Sequence, residues 1–167
     1  MKNVILSFFL VGFTITATAQ DWEKVEVENL VTVELPGKAS PREASGMKVM
    51  ETYTSDYAAL IQYTSIASEI DGKASAEDLE ILYDGIEEGI LAATSSGEAD
   101  EKSSFKLGET NGRLLTYSFK PSPDAEVKAT SKLLILGEYL ISLTFVELTD
   151  NADAAVKERF LGSLSLM

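Results

Sequence analysis

The chemistry open to this chain is bounded first by what it lacks: among 167 residues there is neither His nor Cys. A Ser-His-Asp triad, a thiolate nucleophile, thiol redox exchange and the usual zinc ligand sets therefore have no members to draw on. Neither G-x-x-x-x-G-K-[ST] nor G-x-G-x-x-G occurs to cradle a phosphate. What remains is a Ser/Lys pairing or carboxylate chemistry, the latter drawing on 27 Asp and Glu residues. Two carboxylates facing each other across roughly 5–10 Å, one with a raised pKa, could run glycoside hydrolysis. With so many acids some pairs meet that distance by chance, and most are expected on solvated faces.

Three places stand out from that background. Glu51 lies in phase with Met47, Val49 and Tyr53. It fits either an inward acid beside Arg113 or a polar residue on an open sheet face, and the second is preferred because antiparallel sheets often leave one face wet. The run Glu98-Ala99-Asp100-Glu101 could attract Ca²⁺ weakly, but it lacks the D-x-[DN]-x-[DN]-G order of a built site, so counterion attraction is expected there. Trp22 could anchor a partner, as Trp does in interface hot spots, or cover a sheet edge as ordinary core; core is favoured. No residue is assigned as catalytic, metal-ligating or cofactor-binding, and no cofactor is expected.

The elements that must position these residues alternate between two periods. Trp22 to Val27 and Leu30 to Leu35 alternate apolar and polar residues around Glu28-Asn29, a first strand pair closed by Leu35-Pro36-Gly37. Residues 38–45 read as a polar loop. Gly46 to Tyr53 and Tyr57 to Ile66 form a second hairpin across Ser55-Asp56. A helix is predicted from Ala76 to Ser95, with Ser75 and Asp78 as a capping box and Gly97 as its C-terminal cap. Its apolar stripe is Leu79, Leu82, Tyr83, Ile86 and Ile90, with Glu80, Asp84, Glu87 and Glu88 facing water. Gly85 and Gly89, each costing about 1 kcal/mol against Ala, suggest a close approach of helix to sheet.

Phe105 to Leu107 and Leu114 to Phe119 flank Asn111-Gly112, a strong hairpin signal, and Pro121-Ser122-Pro123-Asp124 breaks the pattern. Val127 to Leu136 and Tyr139 to Glu147 flank Gly137-Glu138, with the apolar run Leu133 to Leu136 suiting a strand covered on both faces. A last helix begins near Thr149 or Asp150, with Asp153 at the capping spacing and Val156, Phe160 and Leu164 as its stripe. The order β-β-β-β-α-β-β-β-β-α predicts an α+β fold. A mainly antiparallel sheet of about seven or eight strands in hairpins is packed by a central amphipathic helix and a C-terminal helix.

The amino terminus carries a different signal. Lys2 and an apolar run from Val4 to Thr16, too short to span a bilayer, precede Ala17-Thr18-Ala19 and then Gln20. This is the pattern of a cleavable signal peptide over residues 1–19, with Ala17 and Ala19 at the positions a signal peptidase reads and Gln20 as the new terminus. Residues 20–167 are then expected to form one globular domain with no transmembrane segment, exported to the periplasm or beyond. Cleavage removes Lys2, leaving 13 basic against 27 acidic residues, a net −14. Such a surface repels nucleic acid and anionic headgroups. Without Cys there are no disulfides, so stability rests on packing and hydrogen bonds.

This order, the opening strand pair ending Leu35-Pro36, the central amphipathic helix and the closing Arg159-Phe160-Leu161-Gly162-Ser163-Leu164 together resemble the PsbP-like fold family. The resemblance covers nearly all of residues 21–167. It implies a non-enzymatic binding or assembly module, and it carries over no functional residue because any histidine-ligated metal site has no counterpart here. The expected function is an exported, non-catalytic module that binds a protein or small ligand of the cell envelope. A carboxylate-based hydrolase and an assembly factor for another exported protein are the alternatives; facing acids in a pocket would favour the hydrolase.

Overall fold

The computed structural model describes residues 21–44, 46–70, 74–94, 99–122 and 125–167. The leader with Ala17, Ala19 and Gln20, the Gly97 cap, Glu98 and the Pro123-Asp124 break lie outside them.

Strands β1 (Trp22–Val27) and β2 (Val31–Pro36) form an antiparallel pair in which Val25 faces Val33 and Val27 faces Val31. Their turn puts both Glu28 (φ 50°) and Asn29 (φ 56°) in the left-handed region and is closed by Leu30 N–H to the Val27 carbonyl at 2.9 Å. That is a type I′ turn, whose twist matches the strands it joins.

Residues 38–45 are not simply a loop: Ser40–Ala44 form β3, an edge strand paired with β4 (Met47–Tyr53). Ser40, Pro41, Arg42 and Glu43 are all exposed, so no apolar alternation marks the strand in the sequence. Pro41 is tolerated because an edge strand has one side that needs no donor. The β4–β5 hairpin (β5, Tyr57–Ser65) forms as expected.

Helix α1 (Ala76–Thr94) starts at the expected capping box: Asp78 N–H donates to Ser75 Oγ at 3.1 Å, and Ser75 N–H to Asp78 Oδ2 at 2.9 Å. After it, β6 (Glu101–Leu107) and β7 (Thr110–Ser122) turn at Gly108-Glu109, not at Asn111-Gly112. Gly112 instead lies within β7 opposite Phe105, where a Cβ would enter the Phe105 ring and come 2.7 Å from the Leu133 carbonyl oxygen. Its glycine serves close approach, while Gly108 (φ 59°) makes the turn.

Strands β8 (Ala125–Leu136) and β9 (Tyr139–Glu147) meet across Gly137-Glu138 as expected, with Leu133 and Leu134 both fully buried. Helix α2 (Ala154–Gly162) begins later than expected, with Asp153 as the N-cap itself: its Oδ1 accepts from Ala155 N–H at 2.8 Å. Thr149 is occupied elsewhere, donating from Oγ1 to Asp56 Oδ1 at 3.0 Å. The chain ends in β10 (Ser165–Leu166), a two-residue strand on β2 too short to show a period.

The described residues thus form an α+β fold of ten strands and two helices, with strand orders β1-β2-β10 and β3-β4-β5-β9-β8-β7-β6. The main core fills the space between the small sheet with α2 and one face of the large sheet, around Val27, Val33, Ile61, Leu143, Phe145 and Phe160. The other face of the large sheet packs against α1 through Leu133, Ile135, Leu115 and Tyr117. Among the described residues no helix is long and apolar enough to cross a membrane.

Candidate binding groove beside helix α1

Helix α1 buries only part of the stripe expected of it, the rest packing half-covered against Ile66, Leu133 and Ile135. Its buried residues are Tyr83, Glu87 and Leu91, while Leu79, Leu82, Ile86 and Ile90 are half-buried. Tyr83 fixes the helix to the sheet: its hydroxyl donates to the Asn111 carbonyl at 2.9 Å and accepts from Ile135 N–H at 2.8 Å. Burial raises its pKa, partly opposed by the Ile135 N–H. Arg113 lies over the Tyr83 ring, 5.8 Å from its centroid, and pairs with Glu80.

Glu87, expected in water, is 3% exposed and ion-paired at 2.7 Å to Lys102 of β6. It sits one turn after Tyr83, so anchoring the helix at Tyr83 carries Glu87 inward. A polar residue on the anchored face is buried only with a partner, and β6 supplies it.

The expected close approach at Gly85 and Gly89 is absent. Both are exposed, and a Cβ at either would meet nothing within 4 Å. The two glycines border a groove instead. Next to the first half of α1 it holds about 750 Å³ between Ile66, Leu82, Ile86 and Leu140. It continues past Ile86 and Leu140 into a pocket of about 400 Å³ lined by Met47, Ile90, Tyr117 and Ser142. On the opposite flank, a cavity of about 680 Å³ lies between Leu79, Tyr83 and Ile135 and the two Gly-Glu turns, with Glu80, Glu109 and Glu138 on its lining.

The residues singled out in the sequence lie apart from this groove. Glu51 accepts from Arg42 Nε at 2.8 Å and from the Tyr53 hydroxyl at 3.3 Å, near the β3 edge. Strands β5, β9 and β8 separate it from Arg113 on β7, which excludes the reading of an acid beside Arg113 and leaves that of a polar residue on an open face. Asp100 accepts from Ser118 Oγ at 2.8 Å, and Glu101 begins β6 as an exposed residue. Among the described residues no three acids are grouped so as to hold a metal ion. Trp22 is half-buried against the main core, with the Arg159 guanidinium 4.1 Å from its ring centroid. Arg159 also donates to Glu34 at 2.8 Å.

Sequence reasoning missed the groove and the hydroxyls beneath it. One signal was present: in β9, Ser142 and Thr144 alternate with Ile141, Leu143 and Phe145, so one face of a central strand carries hydroxyls.

No family model matches the sequence, and no curated protein matches it. Among solved structures the chain is similar to the solution structure of cyanobacterial PsbP (CyanoP) from Synechocystis sp. PCC 6803. The TM-score is 0.60 at 12% identity, covering 94% of this chain and 99% of that one. A Pseudomonas aeruginosa protein of unknown function aligns with a TM-score of 0.43 at 11% identity, covering 75% of this chain and 82% of that one. The likeness to the cyanobacterial structure is one of fold, and by that measure this chain has a PsbP-like α+β fold.

Proposed function

We propose that this chain is an exported, non-catalytic binding or assembly module of the cell envelope, and that it binds through the groove beside α1. The observation that carries the reading is the half-buried apolar row Leu82, Ile86 and Leu140, left open where Gly85 and Gly89 present no side chain. Apolar concave surface with few polar groups is the usual character of a binding site. Three acids line the cavity on the opposite flank, but Glu80 is paired with Arg113, and Glu109 and Glu138 are exposed on the two turns. None sits in the apolar burial that a carboxyl general acid needs. Tyr83 is held in two hydrogen bonds, and Glu51 is paired with Arg42. Export rests on the sequence pattern of residues 1–19, with cleavage after Ala19 leaving Gln20.

The test is site-specific photo-crosslinking in the native envelope. A photoreactive residue replacing Leu82 or Ile86 is expected to trap an envelope component that the same residue at exposed Glu43 does not trap. Ile86→Lys in the Leu82-labelled protein should abolish the product. Intact mass of the same exported protein should correspond to a chain starting at Gln20. Equal trapping from Glu43, or Met1 retained on the exported protein, would overturn the reading.

A further inference from the structure

Beneath the second half of α1 the large sheet carries a ladder of hydroxyls. Tyr117 and Ser131 oxygens are 3.4 Å apart, Ser131 and Thr144 2.8 Å, and Thr144 and Ser142 3.3 Å. All four side chains are buried, with exposures of 5% for Tyr117, 1% for Ser131, 8% for Thr144 and 9% for Ser142. An ordinary O–H···O bond spans about 2.5–3.0 Å, so only the central contact is of normal length. Both ends of the ladder, Tyr117 and Ser142, are held by one long contact each. Four hydroxyl protons also share three contacts, so at least one proton has no acceptor inside the ladder. Burial raises the Tyr117 pKa, which keeps it a neutral donor.

The two under-engaged ends share one place. Tyr117 and Ser142 both line the pocket of about 400 Å³, whose other walls include Ile86, Ile90, Leu140 and Met47. None of its described lining residues is charged, although a quarter of the chain is. Buried hydroxyls in a low-dielectric site gain most from a partner that completes their bonding. A carboxylate would add an unpaired charge to an uncharged site, and a plain alkane would leave the hydroxyls as they are.

We propose that this pocket binds an uncharged amphiphile: an apolar body against Ile86, Ile90, Leu140 and Met47, and a carbonyl-type acceptor taking hydrogen bonds from Tyr117 and Ser142. The inference deepens the reading of the α1 face as a binding surface and rests on it. Cross-linking to an envelope component tests that broader reading separately, and it can succeed where the present inference fails.

The experiment titrates methyl-labelled protein with 2-nonanone, n-nonane and nonanoate in parallel, read by NMR. 2-Nonanone should shift the methyl signals of Ile86, Ile90, Leu140 and Met47 saturably. It should bind at least about fivefold tighter than either other probe, the gain expected of one good hydrogen bond. The Tyr117→Phe and Ser142→Ala variants, combined, should reduce the ketone to the affinity of the alkane. Absence of shifts at those methyls, equal affinity for the three probes, or an undiminished ketone affinity in the double variant would each overturn the proposal. If the double variant does not fold, the ranking of the probes on the unaltered protein decides alone.

Discussion

Towards the small sheet and α2, strands β5 and β9 present Ile61, Ile141, Leu143 and Phe145, all with no exposed surface; towards α1, the same strands mix Leu60 and Leu140 with Gln62, Ser142 and Thr144. Strand alternation lets one stretch of chain write two surfaces, one wholly apolar and one mixed. The first is closed by Phe160 of α2 and the valines of β1 and β2, and stacks the Tyr57 and Phe145 rings with centroids 5.0 Å apart. The second is covered by a helix held through a tyrosine hydroxyl and an ion pair, with only three buried residues of its own. Stability concentrated on one side leaves the other free to be incompletely covered, and incomplete cover is what a binding groove requires.

The largest expected effect tests that division of labour. Phe160→Ala empties the fully packed side and should cost about 3–5 kcal/mol in urea unfolding, the range for a buried aromatic. Ile90→Ala, half-buried over the groove, should cost no more than about 2 kcal/mol, because much of its surface already meets solvent. Equal losses would break the comparison and make the α1 face core like the other.

A smaller effect follows from the phenols on the α1 side. Tyr83 and Tyr117 both have pKa values raised above the ordinary 10 by burial. A folded pKa above the unfolded one means the contribution is fully present below about pH 10 and is lost as pH rises through the folded values. Urea stability should therefore fall as pH rises above about 10, with a late phenolate absorbance component. Tyr83→Phe and Tyr117→Phe should each remove part of both changes. A fall of unchanged size in both variants would place the alkaline sensitivity elsewhere.

How much of this was legible in the sequence depends on the kind of information each element carries. The Ser75/Asp78 box, the Gly137-Glu138 turn and the Val156/Phe160 pair of the last helix are local codes, and all appear in the structure. Leu164, expected on the same stripe, is buried too but lies beyond the end of α2. Gly112 and Glu87 are not local codes. Asn111-Gly112 carries the chemistry of a turn, yet the position is governed by the Phe105 ring across the ladder. Glu87 looks like one acid among many until Tyr83 and Lys102 are brought to their places. The described side chains of β3, Ser40 to Glu43, are all exposed and leave no pattern, and β10 is only two residues long. For the site, the absent His and Cys bounded the chemistry, but the groove arises from how α1 is anchored, and no spacing in the helix encodes that.

The smallest expected effect concerns the glycines of α1 and has the opposite sign to most substitutions. From the sequence they suggested a helix pressed against its sheet, in which case added side chains should clash. The structure places both on exposed helix surface with open space where a Cβ would go. Gly85→Ala and Gly89→Ala should then each stabilise the protein by about 0.5–1 kcal/mol, the helix-propensity difference, measurable as a shift in the urea midpoint. Both positions also line the groove. The same substitutions should narrow it, so 2-nonanone should bind the Gly89→Ala protein more weakly even as that protein becomes more stable. Stabilisation with unchanged binding would mean the glycines do not shape the site, and destabilisation would mean the helix sits closer to the sheet than its open flank indicates. A stability gain paired with a binding loss would identify the two glycines as positions where helix strength is given up to keep the groove open.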